Sequence, residues 1–582
     1  MTQGATIDVL PDDVLLEIFD MYRFDTPEHS RPGGRPWEWH RPAHVCQRWR
    51  SVIFASSRHL GLKIFCTYGK PVIDILNTFS TFPIIMKYGG FPGSSLLTAG
   101  DLEGVIATLN HPTRTCEIQL TATAPLLKSV ATLTQQPFFM LESLHLSTSA
   151  EPGLVLPSEF GGGFSSLRIL RMIRVALPML PQLLSSPQGL VSLQLEEIPS
   201  IGYTLEALLI CLPAMTQLNT LRIHFISPCS RPILINTLRS PERRVVLHHL
   251  KYIEFHGTSE YLESLLSIVS TPFLKYIHIA FFNQLIFHTP QLPQLSQFIL
   301  RTETLRSPNQ AILHYSGVDV SLSLSQSGMP HHLALRILCK NLDWQISSMA
   351  ELCEGLSPTL SHVEQLNICA PPTSFPGIQD EVDLTQLGFS DLFRQFTNVR
   401  RLYVTGESVL HVAGVLGRIT GQLAVTVLPE LREMYVGNHA ELASAQSGLA
   451  PFIGAREHSA HSVVIRSLEP ESNHDFQPCA DLDPTRPMGR KPYGLAVRSL
   501  FQWGPCGSLS FGPNNADGFE NFAVTPQDLF DMHPDPKSAV YLIQTLESSP
   551  AFRNEVLGNI ARSTGRPIPA VLLRHGSSLP TV

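Results

Sequence analysis

Histidine pairs stand at His248-His249 and His331-His332, and histidine is the side chain that most often ligates a transition metal. A metal site needs three or four converging donors, and the neighbours of neither pair supply a third ligand at useful spacing. The stretch EFGGGFSSLRIL has the glycines of a phosphate cradle. It lacks both the Lys-Ser/Thr of a P-loop and the order of a dinucleotide fingerprint, so it predicts a turn between repeating units. No G-x-S-x-G elbow and no H-E-x-x-H helix occurs. Cys46 falls on an apolar helical face beside Trp49, where an inert, buried thiol is expected. The ten cysteines are scattered without a C-x-x-C, which fits free thiols in a reducing compartment. The expectation is a chain with no catalytic residues, no metal and no cofactor: not an enzyme.

What those residues hang on is a large, mostly apolar scaffold. The 582 residues exceed one ordinary core, so several domains or a repeat array are expected. Hydrophobic residues make up 43% and charged residues 16%, a balance that folds and buries. A net charge of -7 without a Lys/Arg run argues against nucleic acid as a partner. Apolar stretches such as SLLSIVS are far shorter than a membrane helix of roughly 20 residues. The start, MTQGATIDVLPDD, has no basic n-region and does not read as a signal peptide. A soluble protein of the cytoplasm, the nucleus or both is expected.

From Pro11, apolar residues Val14, Leu15, Ile18, Phe19 and Tyr22 recur at helical spacing, with Asp12 and Asp13 where the helix dipole favours acids. After TPEHSRPGGRPWEWH, a second helical pattern runs through Val45, Cys46, Trp49, Val52 and Ile53. Two helices this short cannot bury their apolar faces on each other alone and need a neighbouring domain, a partner, or both. The Leu10-Pro11 start, the L-x-x-I-F core and the V-C-x-x-W-R block resemble an F-box, the helical module that docks a chain onto the Skp-type adaptor of cullin–RING ubiquitin ligases. The long insert between Met21 and Trp39 departs from that family. The resemblance implies that Leu10, Pro11, Leu15, Ile18, Phe19, Val45 and Trp49 form the docking surface or the packing beneath it. A helical cap on a larger fold is the competing expectation.

Further on, a hexad recurs: apolar-x-x-apolar-x-apolar. It starts at Leu141, Leu167, Leu190, Leu218, Leu250, Leu274, Leu295, Val363, Val399 and Leu431, at intervals of 21 to 36 residues within each run. That period predicts irregular leucine-rich repeats. Its last positions alternate as a half-buried strand does, and segments such as SEYLESLLSIVSTP between hexads have helical spacing. The fold class expected is α/β: a helical N-terminus, then a solenoid with a parallel sheet on its concave face and helices on its convex face. LKIFC, PIIMKY and CEIQL should begin the sheet, while VDVSLSLS and LALRILC read as extra strands around a turn. Outward side chains of successive hexads form a column: His145, Arg171, Gln194, Arg222, Glu254, His278, Ile299, Asn367, Tyr403 and Tyr435. Of these, Arg171, Arg222, Glu254, His278, Tyr403 and Tyr435 are candidates for binding a partner protein, arginine and tyrosine being good interface anchors.

A leading F-box followed by irregular repeats resembles the large family of fungal F-box proteins over roughly residues 5–467. The likeness divides its part of the chain into an F-box at 5–60 and repeats at 61–467; composition then marks a Pro/Gly-rich linker at 468–494, and the tail at 495–582, with two helical starts, does not resemble the family's ending. It implies a non-catalytic substrate-recognition adaptor, bound to a Skp-type adaptor and through it to a cullin, with its protein target on the repeats. The alternative is a scaffolding repeat protein without ligase association.

Overall fold

The computed structural model describes residues 10–467 except 26–39, 58, 90–98, 134–135, 149–152, 157–163, 177–183, 185–188, 199–207, 209, 227–243, 283–291, 317, 327–331, 340–341, 371–381, 407, 438 and 460, together with 502–503 and 509–510. The expected linker and nearly all of the tail lie outside the described residues, as does most of the loop insert near the N-terminus. In the tail, Gln502–Trp503 pairs antiparallel with Leu509–Ser510.

The chain divides into two compact units, Met1–Arg222 and Ile223–Val582, a cut that falls inside the expected repeat array. The first unit opens with α1 (Asp12–Asp25), α2 (His40–Ala43) and α3 (Gln47–Ala55). Its strands are β1 (Ile64–Thr67), β2 (Ile84–Tyr88), β3 (Thr115–Ala122), β4 (Ser143–Thr148), β5 (Leu154–Val155), β6 (Ile169–Ile173), β7 (Val175–Ala176) and β8 (Ser192–Ile198). Strands β1-β2-β3-β4-β6-β8 pair in that order, all parallel, while the short β5 and β7 pair beside them. Strand β9 (Thr220–Phe225) lies at the division.

The second unit holds β10 (Val245–Val246), β11 (Tyr252–Gly257), β12 (Val269–Ser270), β13 (Tyr276–Phe281), β14 (Gln310–Tyr315), β15 (Asp319–Ser325), β16 (Leu333–Leu338), β17 (Gln365–Ala370), β18 (Arg401–Gly406), β19 (Glu433–Val436) and β20 (Val464–Ser467). Its sheet runs β11-β13-β16-β15-β14-β17-β18-β19-β20. Every pairing there is parallel except those of β15, which is antiparallel to both neighbours. Strands β14, β15 and β16 thus form a meander set into a parallel array. The expected extra strands, VDVSLSLS and LALRILC, are β15 and β16.

The hexads build the core. Their first, fourth and sixth residues are buried in successive strands, as with Leu141, Leu144 and Leu146, or Val399, Leu402 and Val404. Each such leucine contributes on the order of 1.5–3 kcal/mol by leaving water. A turn precedes the hexad in most repeats: the first residue's N–H bonds the carbonyl three positions back, as in Leu141 to Phe138, Leu167 to Phe164, Leu218 to Met215, Leu250 to Leu247 and Val363 to Leu360. Those earlier residues are themselves buried, so the repeat is three residues longer than the hexad. The helix Ser259–Ile268 buries Leu262, Leu265 and Leu266, as its spacing predicts.

One hexad is misplaced. LSQFIL, from Leu295, belongs to the helix Pro293–Arg301, where Leu295, Phe298 and Ile299 are buried. Spacing of i, i+3 and i+4 suits a helix as well as a strand hexad does, and Pro293 at its start decides for the helix. Ile299 is therefore core and not part of the outward column.

Close packing fixes the C-terminal repeats. In the helix His439–Glu457, Gly448 lies so near Gly417 of the helix Ser408–Arg418 that a Cβ on Gly417 would come within 1.9 Å of the Gly448 carbonyl oxygen. Arg456 of the same long helix is fully buried. Its guanidinium donates to the carbonyls of Ala424, Val427, Leu428, Pro429 and Leu431 at 2.9–3.2 Å, holding the loop that delivers β19. Burial lowers its pKa, with Glu430 opposing.

Candidate functional site

In α1, Leu15 and Phe19 turn inward and are buried. Trp49 of α3 meets Phe19 edge-to-face, with ring centroids 5.0 Å apart. Arg48 ties the two helices, its Nη2 lying 2.6 Å from both Asp12 Oδ1 and the Leu10 carbonyl. Cys46 corrects the buried-thiol expectation: it is half-exposed and caps α3, its sulfur accepting the Trp49 N–H at 3.4 Å. The other described cysteines are free and buried, and burial raises the thiol pKa of Cys66 and Cys116 and takes that of Cys211 to about 11.

Of the expected docking residues, Leu15, Phe19 and Trp49 supply packing, and Leu10 is half-buried. Pro11, Ile18 and Val45 are exposed, Val45 to 60%. Val14 and Met21 are exposed as well, Met21 to 66%. Met21 was not singled out from sequence, although its position three residues after Ile18 puts it on the same helical face. At the end of α3, Phe54 packs edge-to-face on Phe79 and Phe82, at 5.7 and 5.5 Å.

The outward column of the first unit forms in register: Lys87, Gln119, His145, Arg171 and Gln194 on neighbouring strands. Arg171 is not a free cation, because its Nη2 lies 2.8 Å from Glu196 Oε1. Arg174 pairs likewise with Glu197. Both of these residues have positive φ, 58° and 51°, a conformation uncommon outside glycine and asparagine. Lys87 pairs with Glu117 at 3.1 Å. Arg222 is half-buried in β9.

In the second unit the column runs Glu254, His278, Ala334, Ser323, Ile312, Asn367, Tyr403, Tyr435 and Arg466. Ala334, Ser323 and Ile312 come from the meander, which replaces the single residue expected at Ile299. Glu254 accepts the Tyr252 hydroxyl at 2.7 Å, with His224 Nε2 at 3.2 Å and His278 Nδ1 at 3.7 Å. Burial alone would raise its pKa; the nearby His224 and His278 rings and the Tyr252 hydroxyl outweigh it and leave the carboxyl ionised well below the usual range. His256, on the next outward position, moves the other way. Burial first, then the charges of His224, Arg336 and His278, lower its pKa to about 3 against the pull of Glu254. Arg336 pairs with the buried Asp319, which also accepts the Ser316 hydroxyl at 2.6 Å.

Two tyrosine pairs stack face to face on this surface. Tyr252 and Tyr276 lie with centroids 5.1 Å apart and planes 9° off parallel; Tyr403 and Tyr435 are 4.7 Å apart and 10° off. Both stacks arise because in-register parallel strands place like residues side by side. The Tyr435 hydroxyl donates to Glu433 at 3.0 Å. His248 and His249 are exposed, and among the described residues no group of three or more His, Cys, Asp or Glu is placed to hold a metal ion. No helix among them is long and apolar enough to cross a membrane.

A strand in each repeat, periodic leucine hexads and a polar outward column define a leucine-rich-repeat-like protein of mixed α/β structure. No protein-family model matches the chain, and no curated protein does. Among solved structures, it is similar to the leucine-rich repeat-containing protein LegL7 from Legionella pneumophila, at 11% identity over 67% of this chain and 98% of that one, with a TM-score of 0.22. So low a score adds nothing to what the strand register shows.

Proposed function

We propose that the chain is a non-catalytic adaptor of a Skp–cullin–F-box ubiquitin ligase, its N-terminal helices docking a Skp-type adaptor and its repeats holding a target protein in the cytoplasm or nucleus. The observation that carries this is the division of labour in α1–α3. Leu15, Phe19 and Trp49 hold the helices together, while Val14, Ile18 and Met21, at helical spacing on one face of α1, and Val45 just ahead of α3 stay exposed. Exposed apolar side chains on so small a helical unit are what a docking module needs. Chemistry on the target would belong to other subunits, so the adaptor needs no catalytic residues of its own.

Co-purification with a Skp-type adaptor tests this. Wild type should retain the adaptor, and Ile18→Asp/Val45→Asp should lose it by at least about tenfold, since each change places a charge in an apolar interface. Circular dichroism should stay unchanged, both positions being exposed. Equal retention of the adaptor by the double variant would overturn the docking role. A second reading rests on Phe54: its packing on Phe79 and Phe82 is what a cap on the first repeat would make. On that reading the chain is a scaffold, and wild type binds no Skp-type adaptor.

A further inference from the structure

The second unit repeats one tetrad: Leu250-Lys251-Tyr252-Ile253 and Leu274-Lys275-Tyr276-Ile277. Because β11 and β13 pair in register, Tyr252 stacks on Tyr276. The lysines one position earlier also come side by side, joined by the Lys275 N–H to Lys251 carbonyl bond of 2.9 Å. Like charges on neighbouring strands repel, and both side chains are exposed. Among the described residues neither ammonium has a carboxylate partner.

The carboxylates of the face are committed elsewhere. Glu254 is held by His224, His278 and Tyr252, and Asp319 by Arg336 and Ser316. Glu433 is held by Tyr435 and by Arg466 at 3.5 Å. The positive charge left over at Lys251 and Lys275 therefore runs against the sign of a chain whose net charge is -7.

The doublet lies just ahead of β11 and β13, at the margin where these strands begin and one residue before the Tyr252–Tyr276 stack. From that stack the sheet leads to the second one. The column passes Ala334 and Ser323 of the meander before reaching Ile312 and Asn367. Ala334 and Ile312 are half-buried there and Ser323 is buried, so the stretch between the two stacks carries no charged side chain of its own column. The order β13-β16-β15-β14-β17-β18 at about 4.8 Å per strand puts Tyr276 and Tyr403 about 24 Å apart. An extended chain covers that with about seven residues.

We infer that this face binds one extended anionic peptide segment laid across the strands, with its acidic group at Lys251 and Lys275 and an aromatic or aliphatic residue about seven positions away on the Tyr403–Tyr435 stack. The inference rests on the repeats being the target-holding part of the chain. Carboxylate and phosphate share the recognising chemistry, charge-assisted hydrogen bonds from ammonium groups.

The test passes two degenerate libraries of peptides about ten residues long over the immobilised full chain, one unmodified and one with a single fixed phosphoserine. The retained unmodified pool should be enriched in Asp and Glu at one end and in an aromatic or aliphatic residue at the other. If phosphate is the natural group, the phosphoserine library is retained more strongly. Lys251→Gln/Lys275→Gln should reduce acidic enrichment by up to about fivefold per lysine, the upper range for exposed ion pairs, and leave the apolar preference. Tyr403→Ala/Tyr435→Ala should do the reverse. Retention of peptides without acidic enrichment, or acidic enrichment unchanged in the lysine variant, overturns the anionic segment while leaving a target-binding face. Retention of no peptide above an uncoated support overturns both.

Discussion

Glu254 and His256 are two residues apart on one strand face, yet the same neighbours push their protons in opposite directions. His224 and His278 favour the charged carboxylate and disfavour a charged imidazole at 256. For His256 the pKa falls from 6.5 to about 3 on folding. Between those values the unfolded chain binds a proton that the folded chain refuses. Its contribution is therefore fully present above pH 6.5 and lost as pH falls towards 3. Glu254 acts only below that window's middle, because its unfolded carboxyl titrates near 4.5. Urea midpoints measured from pH 7 to about pH 5 should fall for wild type and fall less for His256→Gln, which cannot take up the proton. A variant that tracks wild type across the range would mean that His256 protonates as freely in the folded chain as in the unfolded one. None of this was visible in the hexad LKYIEF, which gives the direction of each side chain but not its partners. Arg171 shows the same gap: its outward position was legible, its engagement by Glu196 was not.

Among the elements, the loop leading into β19 depends on one side chain. Arg456→Met would keep most of the apolar volume while removing the guanidinium donors that now reach five carbonyls between Ala424 and Leu431. The expected cost is about 1–3 kcal/mol for each buried carbonyl left without a donor, seen as a lowered unfolding midpoint. Arg456→Lys should recover little, since an ammonium has three donors and no planar fork. Strand positions in the regular repeats were readable because burial at hexad positions one, four and six is enforced by every neighbour. The exceptions have definite causes. The Leu295 hexad has a helical spacing as good as its strand spacing. QAILHY, which forms β14, follows no hexad, since its parallel neighbour β17 and antiparallel neighbour β15 come from later in the chain. The turn residue three positions ahead of most hexads is not legible as a repeat position because it varies between Phe, Met, Leu and Thr.

At the scale of the molecule, the two proposed interactions draw on different compact units: Ile18 and Val45 belong to the first, Lys251 and Lys275 to the second. The activities should therefore separate. Ile18→Asp/Val45→Asp should abolish adaptor retention and leave peptide retention as in wild type, and Lys251→Gln/Lys275→Gln should do the converse. Measuring both properties on both variants decides it; loss of both by either pair would tie the activities to one surface or to general unfolding. The meander carries a consequence of its own. It enters beside β17 and leaves beside β13, and its outer strands, β14 and β16, run in the direction of the array while only β15 opposes it. Any back-and-forth insertion reverses direction at each turn, so an odd number of strands returns the sheet to its original polarity and an even number does not. With three, the repeats on either side each meet a neighbour of the orientation they would have met without it. The insertion is thus a matter of parity: the array can accept or shed such a piece in evolution without rewriting the hydrogen-bonding pattern of what flanks it, whereas a simple two-strand hairpin at the same place would leave one flank facing an antiparallel edge.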